Sequence, residues 1–266
     1  MEPVSTNQSL KGRTILVAPS GDSELAAELK RHGARVLPWP QIEIVEPDSY
    51  AALDEAIENL FGYDWLIFAN VNAAGFFLRR IQSTGHEISE LDALRVCALD
   101  DATRQQLEES HVHVDLNPEG FATDGVLATL ERFVGGRDSL RGLNFLIPRA
   151  AISRDPLPRA LEDAGARVDV VAAYRTVSNN SELIQFDALL AGGGIDCIAF
   201  TNPSSVLALS LLFDTNELSR LFKEVAVACI DESTTQASTE FGLGSQITPV
   251  EFTIPALARA IARYFQ

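Results

Sequence analysis

Apolar positions along the chain fall into two alternating patterns, short unbroken runs and longer stretches of helical period. Thr14–Val17 and Asn144–Ile147 are apolar runs bounded by turn residues, the pattern of strands buried on both faces of a parallel sheet. Each is followed by an amphipathic stretch, Glu24–His32 and Leu157–Ala164, which Gly33 and Gly165 close at the position where a left-handed residue ends a helix. Trp65–Phe68 and Cys197–Phe200 predict two further strands, with helices over Ala73–Ile81 and Ser204–Leu212. Val96–Leu99 and Val225–Ile230 predict another pair, leading into helices that begin near Ala102 and Ser233. Asp124–Phe133 and Pro255–Phe265 predict the last helices. Alternating strands and helices of this kind specify an α/β protein with doubly wound parallel sheets.

The pairing of these elements is no accident, because the chain is written twice. Gly12–Val17 returns as Gly142–Ile147, Leu29–Val36 as Leu161–Val168, Tyr63–Asn70 as Ile195–Asn202 and Leu99–Thr103 as Ile230–Thr234. The offsets are 130, 132, 132 and 131, a period that fits a whole domain rather than a solenoid repeat. Two similar lobes enclose a cleft, where ligands bind. After the first strand and helix of each copy the pattern breaks. Arg35–Ile44 carries two prolines and no helical period, and Arg167–Thr176 is β-branched, so both run extended. Extended segments at equivalent places predict that the chain crosses between lobes near 36–44 and again near 168–176. The lobes are then interleaved, 1–38 with 177–266 in one and 39–176 in the other, joined by a two-stranded extended linker.

Composition adds exclusions. With 266 residues, 46% apolar and 22% charged, the chain has the make-up of an ordinary globular protein and can form two domains. No apolar run approaches the roughly 20 residues of a membrane helix. Met1–Leu10 is polar and lacks a basic start or apolar stretch, which reads as a loose tail rather than a signal peptide. Cys97, Cys197 and Cys229 lie in apolar runs without metal or redox spacing, as buried thiols of a cytoplasmic protein do. The net charge of −16 argues against nucleic acid and anionic membrane as partners. It also means that an acidic ligand would have to be captured by local donors, against the overall field.

In open parallel sheets those donors lie at strand C-termini, beside helix starts. The loops Ala18–Asp22, Ala69–Asn72, Asp100–Thr103, Pro148–Arg154, Thr201–Ser205 and Asp231–Thr235 fill these places. They carry Asn70, Asn72, Thr103, Thr201, Asn202, Ser204, Ser205, Ser233 and Thr234, but no histidine or cysteine, and their aspartates are too far apart to suggest a metal. Each hydroxyl or amide is, taken singly, a helix cap; taken together the helix starts form a wall of anion donors. Tyr174 stands out because its mate in the repeat is Ile42, so the scaffold does not require a phenol there. Its alternative is a packing role in the crossover. Tyr174→Phe removes one hydroxyl and little volume, so folding should hardly change while any turnover that uses the hydroxyl falls. Arg149, Arg154 and Arg175 read singly as solvated residues. His111-Val112-His113 alternates like an edge strand without a third metal ligand, and Gly192-Gly193-Gly194 precedes a strand and reads as a turn. No dinucleotide or P-loop fingerprint occurs, so no nucleotide cofactor is expected.

Tyr63-Asp64-Trp65-Leu66-Ile67-Phe68-x-Asn70-x-Asn72-Ala73, the Ala102-Thr103 helix start, and Gly165-Ala166-x-Val168 leading to Val171-x-x-Tyr174-Arg175-Thr176 belong together. With Ile195-Asp196-x-Ile198-x-Phe200-Thr201 and Ile230-x-x-Ser233-Thr234, they resemble the uroporphyrinogen-III synthase family. The resemblance runs from Gly12 to the end. It implies two α/β domains with the active site in a cleft, no cofactor, and a cyclising lyase of porphyrin and heme biosynthesis. Such an enzyme converts hydroxymethylbilane into uroporphyrinogen III, losing water and inverting the last pyrrole ring through a spiro intermediate. Tyr174 matches the tyrosine thought to help the hydroxyl depart. Thr103 and Thr234 match threonines lining the cleft, and Thr201 and Ser204 match the polar loop after the second-copy strand. Asn70, Asn72, Arg149 and Ser233 complete the expected substrate-binding set. The expected partners are the linear tetrapyrrole and the preceding enzyme of its pathway, with the chain a monomer. Ala69, Asn70, Asp100, Asp231 and Ala18-Pro19-Ser20 depart from the family pattern. The aspartates at two glycine positions either repel an acidic substrate or cap the helices that follow. The alternative function is a non-catalytic two-lobed tetrapyrrole-binding or regulatory protein.

Overall fold

The computed structural model describes residues 8–18, 23–118, 123–177 and 180–266. Its strands are β1 (Thr14–Val17), β2 (Arg35–Pro38), β3 (Glu43–Val45), β4 (Trp65–Phe68), β5 (Arg95–Ala98), β6 (Asn144–Ala150), β7 (Arg167–Val177), β8 (Cys197–Phe200) and β9 (Ala226–Cys229). Its helices begin with α1 (Ser23–Arg31), α2 (Ala51–Glu58), α3 (Val71–Ser83), α4 (Asp101–Glu109) and α5 (Thr123–Val134). They continue with α6 (Leu157–Asp163), α7 (Asn180–Ala191), α8 (Pro203–Phe213), α9 (Glu232–Glu240) and α10 (Ile254–Tyr264).

The chain divides into two compact units. One comprises Met1–Ile42, Ser178–Leu212 and Leu218–Gln266; the other comprises Glu43–Val177 and Phe213–Glu217. The first unit has a four-stranded sheet of order β2-β1-β8-β9, parallel throughout. The second has the order β3-β7-β6-β4-β5, in which the short β3 alone runs antiparallel. Without β3 the two orders are equivalent: the first two strands of one repeat copy pair with the last two strands of the other. Each sheet is therefore assembled from halves of both copies. The five residues Phe213–Glu217 lie in the second unit, whereas the sequence reading assigns all of 177–266 to the first.

Strand composition explains the layering. All four residues of β4 are buried, because both faces of its sheet are covered. Leu66 and Phe68 enter a core with Leu53 and Ile57 of α2, Phe77 of α3 and Leu107 of α4. Trp65 and Ile67 enter the opposite core with Val126 and Leu130 of α5 and Leu157 and Leu161 of α6. In the first unit Ile15 and Val17 of β1 pack with Leu25 and Leu29 of α1 and with Leu257 and Ile261 of α10. At roughly 1.5–3 kcal/mol for each fully buried large apolar side chain, these layers dominate the stability of both units.

Several local expectations change. Leu10, read as part of a tail, is fully buried, and its N–H donates to the His32 carbonyl at 2.9 Å, so any loose segment ends before it. His111 is not in an edge strand. It closes α4 in the left-handed region at φ 63°, and the amides of His111 and Val112 bond back to the carbonyls of Glu108 and Leu107. Val112 is thereby turned into the core at 3% exposure, which accounts for the polar–apolar–polar pattern without a strand. The Gly192-Gly193-Gly194 segment is a turn, with Gly193 at φ 64°. Residues 19–22 of the predicted first donor loop lie outside the described residues.

Candidate active site

The strand order of the second unit reverses between β6 and β4, from which the chain leaves in opposite senses. Such a switch point opens a crevice at the strand C-termini. Asn70 stands two residues past the end of β4, and Arg149 stands near the end of β6. Tyr174 reaches them from β7, displaced by an irregularity in the β6–β7 register that pairs Ala150 with Tyr174. Three residues far apart in sequence thus share one end of one sheet.

They meet around Asp214. The Tyr174 hydroxyl donates to Asp214 Oδ1 at 2.6 Å, and Asn70 Nδ2 donates to the Tyr174 oxygen at 3.1 Å and to Asp214 Oδ1 at 3.3 Å. Arg149 Nε donates to Asp214 Oδ2 at 3.2 Å, while its Nη2 lies 3.3 Å from Asp155 Oδ2. Asn70 also caps α3, its Oδ1 accepting from the amides of Asn72 and Ala73 at 3.1 and 3.0 Å. The Tyr174 ring stacks on Phe76 with 5.7 Å between centroids. Tyr174 is 0% exposed, Arg149 and Asp214 are 3% and 4%. Arg149 is therefore not a solvated residue; the cost of burying its charge is met by two carboxylates. Burial, then the charge and hydrogen bond of Asp214, push the Tyr174 phenol far above its ordinary range, so it stays protonated. Burial likewise raises the Asp155 carboxyl, against the pull of Arg149.

The remaining predicted residues sit at helix starts in their own units. Thr103 is fully buried, with its amide and hydroxyl both donating to Asp100 at 2.7 Å. Its repeat mate Thr234 is also buried and donates its amide to Asp231 Oδ1 at 2.8 Å, which Ser233 joins with its hydroxyl at 2.9 Å. Asp100 and Asp231 are thus helix caps, the second of the two readings open in the sequence. Their environments differ. Burial raises the Asp100 carboxyl, whereas the Thr234 amide and neighbouring donors hold Asp231 below the usual range. Asn72 lies half-buried in the first turn of α3, Thr201 is half-buried at the end of β8, and Ser204 is exposed in the first turn of α8. Of the predicted set the structure joins Asn70 and Tyr174 directly and brings Arg149 to them through Asp214, with Asn72 one cap away.

Asp214 and Asp155 were not among the sequence candidates. Asp214 occupies the left-handed region at φ 44° in the polar stretch Asp214-Thr215-Asn216-Glu217 that ends an apolar helix, a local signal of a turn but not of a site. Among the described residues no group of three or more His, Cys, Asp or Glu is placed to hold a metal. A groove of about 500 Å³ in the first unit, lined by Arg259, Arg263 and Tyr264 among others, carries none of the predicted site residues.

Two α/β units with parallel sheets, one of them with a buried phenol and guanidinium at its sheet switch point, define a two-domain α/β protein. The family model described as uroporphyrinogen-III synthase HemD matches residues 23–259, and the chain belongs to this family. The uroporphyrinogen-III synthase of Synechococcus elongatus is 29% identical over 265 residues, covering 97% of both chains. A putative uroporphyrinogen-III synthase of Methanothermobacter thermautotrophicus is 29% identical over 256 residues, covering 92% of this chain and 94% of the relative. Among solved structures, a Thermus thermophilus uroporphyrinogen III synthase aligns over 96% of this chain and 100% of its own, with a TM-score of 0.57 at 17% identity. That likeness speaks to the fold.

Proposed function

We propose that this chain acts as a uroporphyrinogen-III synthase, closing hydroxymethylbilane to uroporphyrinogen III with inversion of the last pyrrole ring and loss of water. The observation that carries the reading is the family match over most of the chain. The site chemistry is compatible with it. Ionisation of a pyrrole hydroxymethyl group is assisted by the ring itself, so the protein's main task is to hold a flexible chain in one ring-closing geometry. Loss of hydroxide calls for a hydrogen-bond donor at the leaving oxygen, and a phenol that stays protonated is such a donor. We assign that role to Tyr174. Substrate binding is assigned to Asn70, Asn72, Thr103 and Arg149 in one unit and to Thr201, Ser204, Ser233 and Thr234 in the other, on the resemblance and on their places at helix starts. Because Thr103 already spends its amide and hydroxyl on Asp100, its contribution is to the shape of the loop. The reaction uses no cofactor in this reading, and the chain works as a cytoplasmic monomer. Three buried free thiols suit a reducing compartment.

The test is the product formed from freshly prepared hydroxymethylbilane. Spontaneous closure gives the type I isomer, so type III is the signature of the enzyme. Only type I from folded protein would replace this reading by a non-catalytic tetrapyrrole-binding one.

A further inference from the structure

In the arrangement seen here Tyr174 has no proton to offer a substrate. Its hydroxyl hydrogen is committed to Asp214 at 2.6 Å, its oxygen accepts from Asn70, and its side chain is sealed from solvent. Asp214 belongs to the five-residue strap Phe213–Glu217, which is part of the second unit although the residues on both sides of it are not. Phe213 anchors the strap as a buried side chain with the Arg154 guanidinium 4.8 Å over its ring, and polar contacts hold the rest. Arg149 and the Ser153 hydroxyl donate to the Asp214 carbonyl at 3.3 and 2.9 Å. The Arg154 amide donates to the Phe213 carbonyl at 3.1 Å, and Asn216 Nδ2 donates to the Ala69 carbonyl at 3.3 Å. Glu217 accepts from the Thr123 amide at the start of α5. At its apex Asp214 sits at φ 44°, a conformation that an L-residue adopts at some cost.

Two of these contacts have a common chemistry. A guanidinium and a free amide at a helix start are the groups that proteins use to bind ligand carboxylates. In this chain both are filled by its own carboxylates, Asp214 on Arg149 and Glu217 on Thr123. The ligand of the proposed reaction is itself a polycarboxylate. Adding it beside Asp155, Asp214 and Glu217 would crowd negative charge around a single buried arginine. Exchanging it for the strap would not.

Resting on the reading above, we propose that Arg149 is a seat for a substrate carboxylate, that Asp214 and Glu217 hold this seat and its neighbouring amide in the empty protein, and that substrate displaces the strap. The exchange leaves the local charge unchanged and releases the strained Asp214. It also frees the Tyr174 hydroxyl, so that donor and substrate arrive together.

The probe is uroporphyrin III, the aromatic and unreactive oxidised form of the product, with binding followed by fluorescence quenching on the full chain. On unaltered protein, hydrogen exchange of the 214–217 amides and of Thr123 should speed up when the probe is bound. Asp214→Asn and Glu217→Gln keep the shape of the strap but weaken it as a competitor, and each should tighten probe binding, roughly tenfold for Asp214→Asn. Tight binding by the variants with none by the parent would support the proposal equally. It is overturned if bound probe leaves strap exchange unchanged or slower, if both variants bind no better than the parent, or if none of the three binds. Should Asp214→Asn fail to fold, Glu217→Gln and the exchange experiment decide. None of these readouts needs turnover. A chain that makes only type I yet loosens its strap refutes the catalytic reading alone, and one that makes type III with an unmoved strap refutes this proposal alone.

Discussion

Replacing Tyr174 with Phe removes one oxygen, and the structure sets what that oxygen is worth. It donates to a buried carboxylate at 2.6 Å and accepts an amide proton at 3.1 Å, in a place with no access to water. A hydrogen bond to a charged group contributes about 1.5–3 kcal/mol, and a buried acceptor stripped of its donor keeps its desolvation cost. Asn70 Nδ2, already 3.3 Å from the same carboxylate oxygen, offsets part of the loss but not all of it. The expected destabilisation is therefore roughly 1.5–3 kcal/mol, and at about 2–4 °C per kcal/mol the midpoint should fall by roughly 3–12 °C. This reverses the expectation from sequence that folding would scarcely change. Activity should fall as well, by about 10²-fold, the low end for assistance by a positioned acid in a step that ionises easily. Urea titration of both proteins gives the first quantity, and the ratio of type III to type I product at a temperature where both are folded gives the second. A variant within about 0.5 kcal/mol of the parent would mean that the Tyr174–Asp214 bond does not form in solution. One with full type III yield would remove Tyr174 from the reaction.

Three further outcomes are expected. His111→Gly should stabilise the chain by about 0.5–1 kcal/mol, because φ 63° suits glycine better than histidine at the end of α4; a lower urea midpoint would contradict that geometry. Asp231→Ala should cost about 0.5–2 kcal/mol at neutral pH through loss of the α9 cap, read by the same titration. The pH dependence of this cap follows from its sign. The Asp231 carboxyl lies below its ordinary value in the folded chain, so its contribution is complete above about pH 4 and is lost as pH falls through the folded value. Asp231→Asn should flatten the acid limb of the stability curve, and an unchanged acid limb would count against the assignment.

The central sheet strands were legible in the sequence because they are short apolar runs closed by turn residues, whereas β6 runs three residues past the predicted Ile147 and the extended segment Arg35–Ile44 divides into β2 and β3. Trp65–Phe68 and Cys197–Phe200 have the bounds read from sequence, and the helices around them shift by only one or two residues. Helix α2 escaped notice. Its buried face is only Leu53, Ala56 and Ile57, and it follows a segment whose prolines had already marked it as extended. Helix α7 has an exposed Ile184 and therefore no clean apolar stripe. The site was legible in part. Tyr174 was marked by breaking the repeat and Asn70 by its place after a strand. Arg149 was named as a binding residue but read as solvated, because what buries it, Asp214, is 65 positions away. Asp214 itself carries only the local mark of a turn, since its partners are brought to it by the fold.

The division of the chain bears on how it can be made. It passes from one unit to the other after Ile42, Val177, Leu212 and Glu217, so neither unit is a continuous stretch. During synthesis β1, α1 and β2 leave the ribosome first, yet β8 and β9, which complete their sheet, come more than 150 residues later. The five-stranded sheet is finished at Val177, and at that stage Tyr174 and Arg149 wait without Asp214 until the strap has been translated. The unit begun first is therefore the last to close, and its early half spends most of translation with the β1 edge unpaired, the state in which nascent chains aggregate or recruit chaperones.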